Sequence, residues 1–221
     1  MKRALIIGAS GGIGQALSTR LNTGGCSVVE VSRRINGLDV TDPASVDHHL
    51  DALDGTFDLI FVATGALEIG SSGPEKSLRH LDAQAMADQF AVNAIGPALI
   101  LKHAARLMPR NTRAVFAALS ARVGSIGDNR LGGWYSYRAA KAALNQILHT
   151  ASIELARTHP QAILAALHPG TVSTAFTAKF VKPEKATPPE TAAKNLLDTI
   201  ESLDPADTGG FFDYAGKPIP W

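Results

Sequence analysis

The stretch Arg3-Ala4-Leu5-Ile6-Ile7-Gly8-Ala9-Ser10-Gly11-Gly12-Ile13-Gly14 decides how the chain is to be read. A short, mostly apolar run ending in glycine predicts a buried strand over 3–7. Beyond the turn, Ile13, Ala16, Leu17 and Leu21 recur at helical spacing, and Gly24-Gly25 supplies the stop, which predicts a helix over 12–22. A strand, a glycine-dense turn and a helix in succession let backbone approach a pyrophosphate closely. The helix N-terminus adds free N–H groups and partial positive charge. The spacing is G-x-x-x-G-x-G, so the common dinucleotide-binding pattern G-x-G-x-x-G is matched in context but not in letter.

Outward from this unit, strand-like and helix-like segments alternate. Strands are predicted over 27–32, 57–62, 114–119, 162–167 and 210–214. Helices are predicted over 42–54, opened by Asp42-Pro43, and over 82–93, capped by Asp82. Others follow over 96–108, 134–157 and 187–202, with loops over 64–76, 120–133 and 171–185. The alternation predicts an α/β fold: one doubly wound domain over 1–221, a mainly parallel sheet with helices on both faces. Ligands then belong beyond the carboxyl ends of the strands.

Composition narrows the function classes. The chain has 221 residues, 21 Lys and Arg against 20 Asp and Glu, and a formal charge of +1. That balance provides no field for a polyanion, so no nucleic-acid partner is expected. Cys26 is the only cysteine, which excludes an intrachain disulfide and a cysteine-ligated zinc site; no metal is expected. Cys26 itself reads as a small buried apolar side chain. No apolar run reaches the ~18 residues of a membrane span. The pair Lys2-Arg3 precedes too short an apolar core for a secretory signal, so a cytoplasmic protein is expected.

Three local constellations bear on chemistry. Gly8-x-Ser10-x-Gly12 also spells the nucleophile elbow of a hydrolase, with His168 and several aspartates as formal partners. An elbow needs an earlier loop to donate an oxyanion hole, and only seven residues precede this one, so the reading is disfavoured. The second strand ends in Arg33-Arg34, where a dinucleotide ribose is read. A guanidinium there suits a 2′-phosphate, which predicts NADP(H) over NAD(H). The third constellation is Tyr137-x-x-x-Lys141, four apart on one helix face that continues through Leu144, Leu148, Ala151 and Leu155. An ammonium beside a phenol stabilises the phenolate. Bringing a phenol of pKa about 10 to neutrality needs about three units, or roughly 4 kcal/mol, which one lysine plus a cationic nicotinamide can supply in a partly dry site. Such a tyrosine serves as general acid and base. Tyr135 has Ala139 at the same offset, so the spacing selects Tyr137.

Together these residues resemble the short-chain dehydrogenases/reductases, over essentially the whole chain. The resemblance rests on Gly8-x-x-x-Gly12-x-Gly14, Asp39-Val40, Ala63-Thr64-Gly65, Asn93, Ser120, Tyr137-x-x-x-Lys141 and Pro169-Gly170-Thr171-Val172-Ser173-Thr174, in that order. The stretch 120–129 and the ending Gly216-Lys-Pro-Ile-Pro-Trp221 are similar to the branch holding bacterial C-factor-type signalling proteins and related carbonyl reductases.

The resemblance implies an NAD(P)-dependent oxidoreductase on a Rossmann sheet, acting on a small carbonyl or alcohol substrate. It implies that Tyr137 exchanges the proton, Lys141 tunes Tyr137 and holds the nicotinamide ribose, and Ser120 bonds the substrate oxygen. Asn93 is to hold a water linking Lys141 to solvent. Gly8, Ser10, Gly12, Ile13 and Gly14 belong with the pyrophosphate. Ala63, Thr64 and Gly65 line the adenosine and ribose side, and Asp39 and Val40 meet the adenine. Pro169, Gly170, Val172 and Thr174 close around the nicotinamide amide. The alternatives from other classes are a dinucleotide-binding signalling module with vestigial activity and the Ser10 hydrolase.

The sequence departs from the family pattern in places. Ile7 stands where the family usually has Thr, and Thr64 where it has Asn. Ser120 precedes Tyr137 by 17 residues, longer than usual, which makes Ser125, 12 before Tyr137, a rival; Ser120 is preferred because it ends a strand. The segment 33–37 is too short for the helix often found there. Trp134, Phe176, Phe180, Phe211, Phe212 and Trp221 are read mostly as core. Residues 171–185 read as a lid candidate. Small residues on the 96–108 and 134–157 helices, with the resemblance, imply a homodimer or homotetramer.

Overall fold

The computed structural model describes residues 1–70 and 72–221. Ser71, in the loop expected over 64–76, lies outside the described residues. Six strands form one sheet: β1 (Arg3–Ile7), β2 (Ser27–Val31), β3 (Leu59–Val62), β4 (Ala114–Leu119), β5 (Ala162–His168) and β6 (Gly210–Asp213). Their order is β2-β1-β3-β4-β5-β6, and every neighbouring pair is parallel. The chain steps outward from β1 to β2, then returns to the other side of β1 for β3. The reversal opens a crevice between the ends of β1 and β3.

Both faces of the sheet are buried, which is why its strands are apolar without alternation. Leu5, Ile7, Ile60, Val62, Phe116 and Leu164 face one core, where they meet α3 (Pro43–Asp51), α5 (Gly96–Leu101), α6 (Ala104–Leu107) and α7 (Tyr135–Leu155). Ala4, Ile6, Leu59, Phe61, Val115 and Ile163 face the other, against α1 (Gly12–Thr23) and α8 (Pro189–Ser202). Cys26 is buried with the second core. This is the single doubly wound α/β sheet read from the sequence.

Two segments differ from expectation. Residues 33–37 do hold a helix, the single turn α2 (Arg33–Asn36), because the Ser32 hydroxyl accepts from the Ile35 N–H and Gly37 closes it at φ 84°. The helices expected over 82–93 and 96–108 are subdivided. α4 (Ala83–Phe90) runs into a π-helical turn, Ala91–Ile95, before α5 and α6. Pro97 has no N–H to give the carbonyl of Asn93, four residues earlier, so regular helix cannot pass this point intact. The π turn sets Asn93 inside the protein, fully buried.

Candidate active site

The glycine turn lies at the crevice. Gly8 has φ +86°, open to glycine and strained for other residues. A Cβ at Gly14 would stand 2.3 Å from the Gly8 carbonyl oxygen, so α1 packs on the turn only because position 14 is bare. A Cβ at Gly12 would stand 2.6 Å from Thr174 Cγ2, which puts the segment after β5 directly over the turn. The first turn of α1 carries no side-chain cap, and its N–H groups remain available to an anion. Thr64 Oγ1, just past β3, is buried without a partner. A bare cradle, uncapped donors and an orphaned hydroxyl together fit a dinucleotide.

A cavity of about 570 Å³ opens from this turn. Gly12, Ile13, Ala63, Thr64 and Gly65 form one wall; Ser120, Tyr137 and Lys141 form another; Pro169, Gly170, Val172 and Thr174 form a third. Gly8, Ser10, Gly14, Asn93, Arg33, Arg34, Asp39 and Val40 do not line it. The last four belong to the β2 end of the crevice. There Arg33 and Arg34 are exposed and, among the described residues, have no carboxylate partner. Asp39 accepts from the Thr41 hydroxyl and N–H, which hold its carboxyl below the usual range. Val40 packs against Gly96, where an added Cβ would stand 3.0 Å from it.

Tyr137 and Lys141 are both buried on the inward face of α7, above Leu144 and Leu148. Lys141 Nζ donates to the Leu119 carbonyl at 2.8 Å and stands 5.8 Å from the Tyr137 ring centroid. Without the charged nicotinamide that the expectation includes, the chain's own groups do not depress the phenol. Burial raises the Tyr137 phenol above its ordinary value and brings Lys141 down to about 7. Desolvation penalises the charged form of each group, and it is the cause of both shifts.

The side chains around the pair are hydrogen-bonded. Ser120 Oγ donates to Asn145 Oδ1 at 2.6 Å. Asn145 is buried, four residues after Lys141, and its Nδ2 has no partner. Sequence reading missed it, although the i+4 offset from Lys141 was the available signal. Asn93 donates from Nδ2 to the Ala66 carbonyl and to Gln89 Oε1, and accepts from the Ala66 N–H. Its side chain thus pins the loop beyond β3. Gly65 is sandwiched there: a Cβ would meet Asn93 Oδ1 at 3.1 Å and Lys141 Nζ at 3.5 Å. The rival Ser125 does not line the cavity; its hydroxyl donates to the Pro220 carbonyl and accepts from the Asp128 N–H.

The elbow reading finds no support in these contacts. Among the described residues no histidine bonds Ser10. His168 instead lines the cavity at the end of β5, with burial holding it down to about 4. Of the aromatic residues, Phe211 and Phe212 are core and Trp221 stacks on Phe211. Trp134, Phe176 and Phe180 line the cavity instead.

Comparison with known proteins follows this geometry. The profile of a family described as enoyl-(acyl carrier protein) reductase matches residues 27–200. The 1-hydroxy-2-glutathionyl-2-methyl-3-butene dehydrogenase of Rhodococcus sp. (strain AD45) is 30% identical over the full length of both chains. The C-signal protein of Myxococcus xanthus is 32% identical over 72% of this chain and 96% of its own. An NADPH-bound carbonyl reductase from chicken fatty liver superposes with a TM-score of 0.85, covering 100% of this chain and 94% of that one at 20% identity. An NADP-bound short-chain dehydrogenase/reductase from Burkholderia multivorans gives 0.84 at 24% identity, covering 100% of this chain and 99% of that one. These likenesses of structure establish the fold.

Proposed function

Because the chain belongs to the short-chain dehydrogenase/reductase family of oxidoreductases, we propose that it interconverts a carbonyl compound and its alcohol with NADP(H). The observation carrying this reading is the meeting of Tyr137, Lys141 and Ser120 with the glycine turn around one cavity. Reduction adds a hydride to the carbonyl carbon and a proton to its oxygen. NADPH supplies the hydride when bound, and its oxidised ring carries a positive charge.

The chain's own groups do the rest. Gly8, Ser10, Gly12, Ile13 and Gly14 hold the pyrophosphate at the α1 N-terminus. Arg33 and Arg34 take the 2′-phosphate, which selects NADP(H); NAD(H) is the alternative. Asp39 and Val40 border the adenine, and Ala63, Thr64 and Gly65 the ribose side. Pro169, Gly170, Val172 and Thr174 close over the amide. Ser120 orients the substrate oxygen toward Tyr137. Held by Asn145, its Oγ accepts from an alcohol O–H; turned away from Asn145, its hydroxyl donates to a carbonyl. Tyr137 gives the proton on reduction and takes it on oxidation. Lys141 is poised near neutrality by burial and recharges at low free-energy cost beside a forming phenolate. Both Nδ2 hydrogens of Asn93 are committed to Ala66 and Gln89, so a water here is held by an accepting oxygen of Asn93, either the second lone pair of Oδ1 or the carbonyl that Pro97 cannot satisfy.

The test is an NADPH and NADH fluorescence titration followed by NADPH oxidation with a panel of aldehydes, ketones and quinones. Turnover that falls at least about 100-fold in Tyr137→Phe, with NADPH binding retained, supports the reading. The likeness to C-signal favours one other reading, a dinucleotide-binding signalling module. Tight NADPH binding with no turnover across the panel decides for it. Ester cleavage lost in Ser10→Ala would revive the hydrolase. No helix among the described residues is long and apolar enough to cross a membrane. Exposed Ile95 beside α5 and Ile153 on α7 support a homodimer or homotetramer, which light scattering reads directly.

A further inference from the structure

Trp134 has φ 55° and ψ 41°, making it the sole described residue other than glycine at positive φ. A bulky side chain there is an outlier that costs free energy. Gly132 and Gly133 precede it at φ 64° and 67°, so three residues in a row are left-handed. The turn is held from both sides. The Trp134 N–H donates to the Glu75 carbonyl at 2.6 Å, and Arg138 donates from Nε to Gly133 and from Nη2 to Gly132. Strain that the surroundings maintain in this way is found where a side chain must be aimed. The aim here is the cavity. The indole lies edge-on to Tyr137, centroids 6.3 Å apart, and edge-on to Phe180 at 6.0 Å. Phe176 tilts against Tyr137 at 6.3 Å.

We propose that Trp134, Phe176 and Phe180 form an aromatic subsite beside the Tyr137 hydroxyl, and that the substrate carries an aromatic ring next to its reacting carbon. This rests on the carbonyl-reducing reading of the same cleft. Phe176 and Phe180 remain 37% and 38% exposed, so both have area left to bury against a ligand. Among the described residues the one carboxylate lining the cavity, Asp128, is paired with Arg122 at 2.9 Å and does not call for a cationic substrate. Lys179, between the two phenylalanines, pairs with Glu68 at 2.8 Å, which ties their segment to the loop beyond β3. A flat ring placed among three others gains edge-to-face contacts that an aliphatic ring of equal size does not. Each such pair favours the aromatic compound by about 2- to 10-fold.

The experiment compares kcat/KM for benzaldehyde and cyclohexanecarboxaldehyde, which match in size and differ in aromaticity. The ratio is read, so a loss of folded protein affects both substrates alike and cancels. We expect the unmodified chain to favour benzaldehyde at least 5-fold, Trp134→Phe to keep most of that preference, and Trp134→Leu to lose it. A ratio at or below one, or a ratio unchanged in Trp134→Leu, overturns the subsite. Should neither aldehyde be reduced, the carbonyl-reducing reading has failed separately. The subsite is then judged from dissociation constants of benzyl alcohol and cyclohexylmethanol with NADPH-saturated protein. A preference for benzyl alcohol that Trp134→Leu abolishes supports it, and equal constants overturn it.

Discussion

Ser120 donates its hydroxyl hydrogen to Asn145 across 2.6 Å, and Asn145 stands on the same face of the long helix as Tyr137 and Lys141. The serine that is to orient substrate is therefore itself oriented by the helix that carries the tyrosine. Asn145→Ala removes that hold and is expected to lower kcat about 5- to 50-fold. A role exerted through Ser120 has a signature that general damage lacks. The Ser120→Ala, Asn145→Ala double variant should fall no further than Ser120→Ala alone. Steady-state kinetics on the four proteins of the cycle check this; additive losses would contradict it.

Lys141 gives a pH dependence of stability whose sign follows from burial. Its amine drops from 10.5 to about 7 in the folded chain. Between those values the unfolded chain binds more protons, so stability rises with pH from about 7 to 10.5 and is flat in this term below 7. The slope is at most about 1.4 kcal/mol per pH unit. Tyr137 shifts the other way and acts only above pH 10. Urea unfolding at pH 7, 8 and 9 should show the rise, and Lys141→Met should remove it.

Glu75 stabilises the helix of Tyr137 from 61 residues away. Its carboxylate accepts from the Ser136 N–H at 3.2 Å and from the Ser136 hydroxyl, and it is itself buried. An acidic group at a helix N-terminus satisfies unpaired donors and meets the positive end of the dipole. Glu75→Ala should cost about 1–3 kcal/mol in denaturant unfolding. A change under about 0.5 kcal/mol would show that the contact contributes little.

These residues mark where sequence reading stopped. The strand, glycine turn and first helix were legible because their signals are local: an apolar run, Gly8 to Gly14, and helical spacing from Ile13. Tyr137 and Lys141 were legible for the same reason, one turn apart. Pro97 was visible too, yet the widened turn it forces at Asn93 was read as ordinary helix with a break. Asn145 and Glu75 were not legible, because each acts on a partner 25 or 61 residues distant. The raised phenol of Tyr137 without dinucleotide was hidden for a related cause: burial depth is a tertiary quantity that spacing does not report.

The backbone at Trp134 was hidden for the opposite reason, since local preference argues against it. A left-handed conformation costs an ordinary residue about 1–2 kcal/mol and glycine nothing. Trp134→Gly should therefore be more stable than Trp134→Ala by about 1 kcal/mol, the reverse of the order in a helix interior. Gly133→Ala, at φ 67°, should lose a similar amount. Thermal unfolding of the three variants checks the order.

The choice of dinucleotide is testable at the far end of the crevice. Arg33 and Arg34 follow β2, exposed and in no salt bridge among the described residues; Arg33 is near enough to help lower the Asp39 carboxyl, and both guanidinium groups are open to a ligand. NADPH and NADH differ only in the 2′-phosphate, and contacts to a charged group of this kind contribute about 1.5–3 kcal/mol each. Arg33→Ser with Arg34→Ser should weaken NADPH binding at least about 10-fold and leave NADH binding within about 2-fold. Raising salt should weaken NADPH more than NADH in the unmodified chain and equalise them in the variant, because exposed charge is screened. Fluorescence titrations at two ionic strengths supply all four comparisons. An equal loss for both dinucleotides would show that the arginines support the fold of the single-turn helix that carries them and do not read the phosphate.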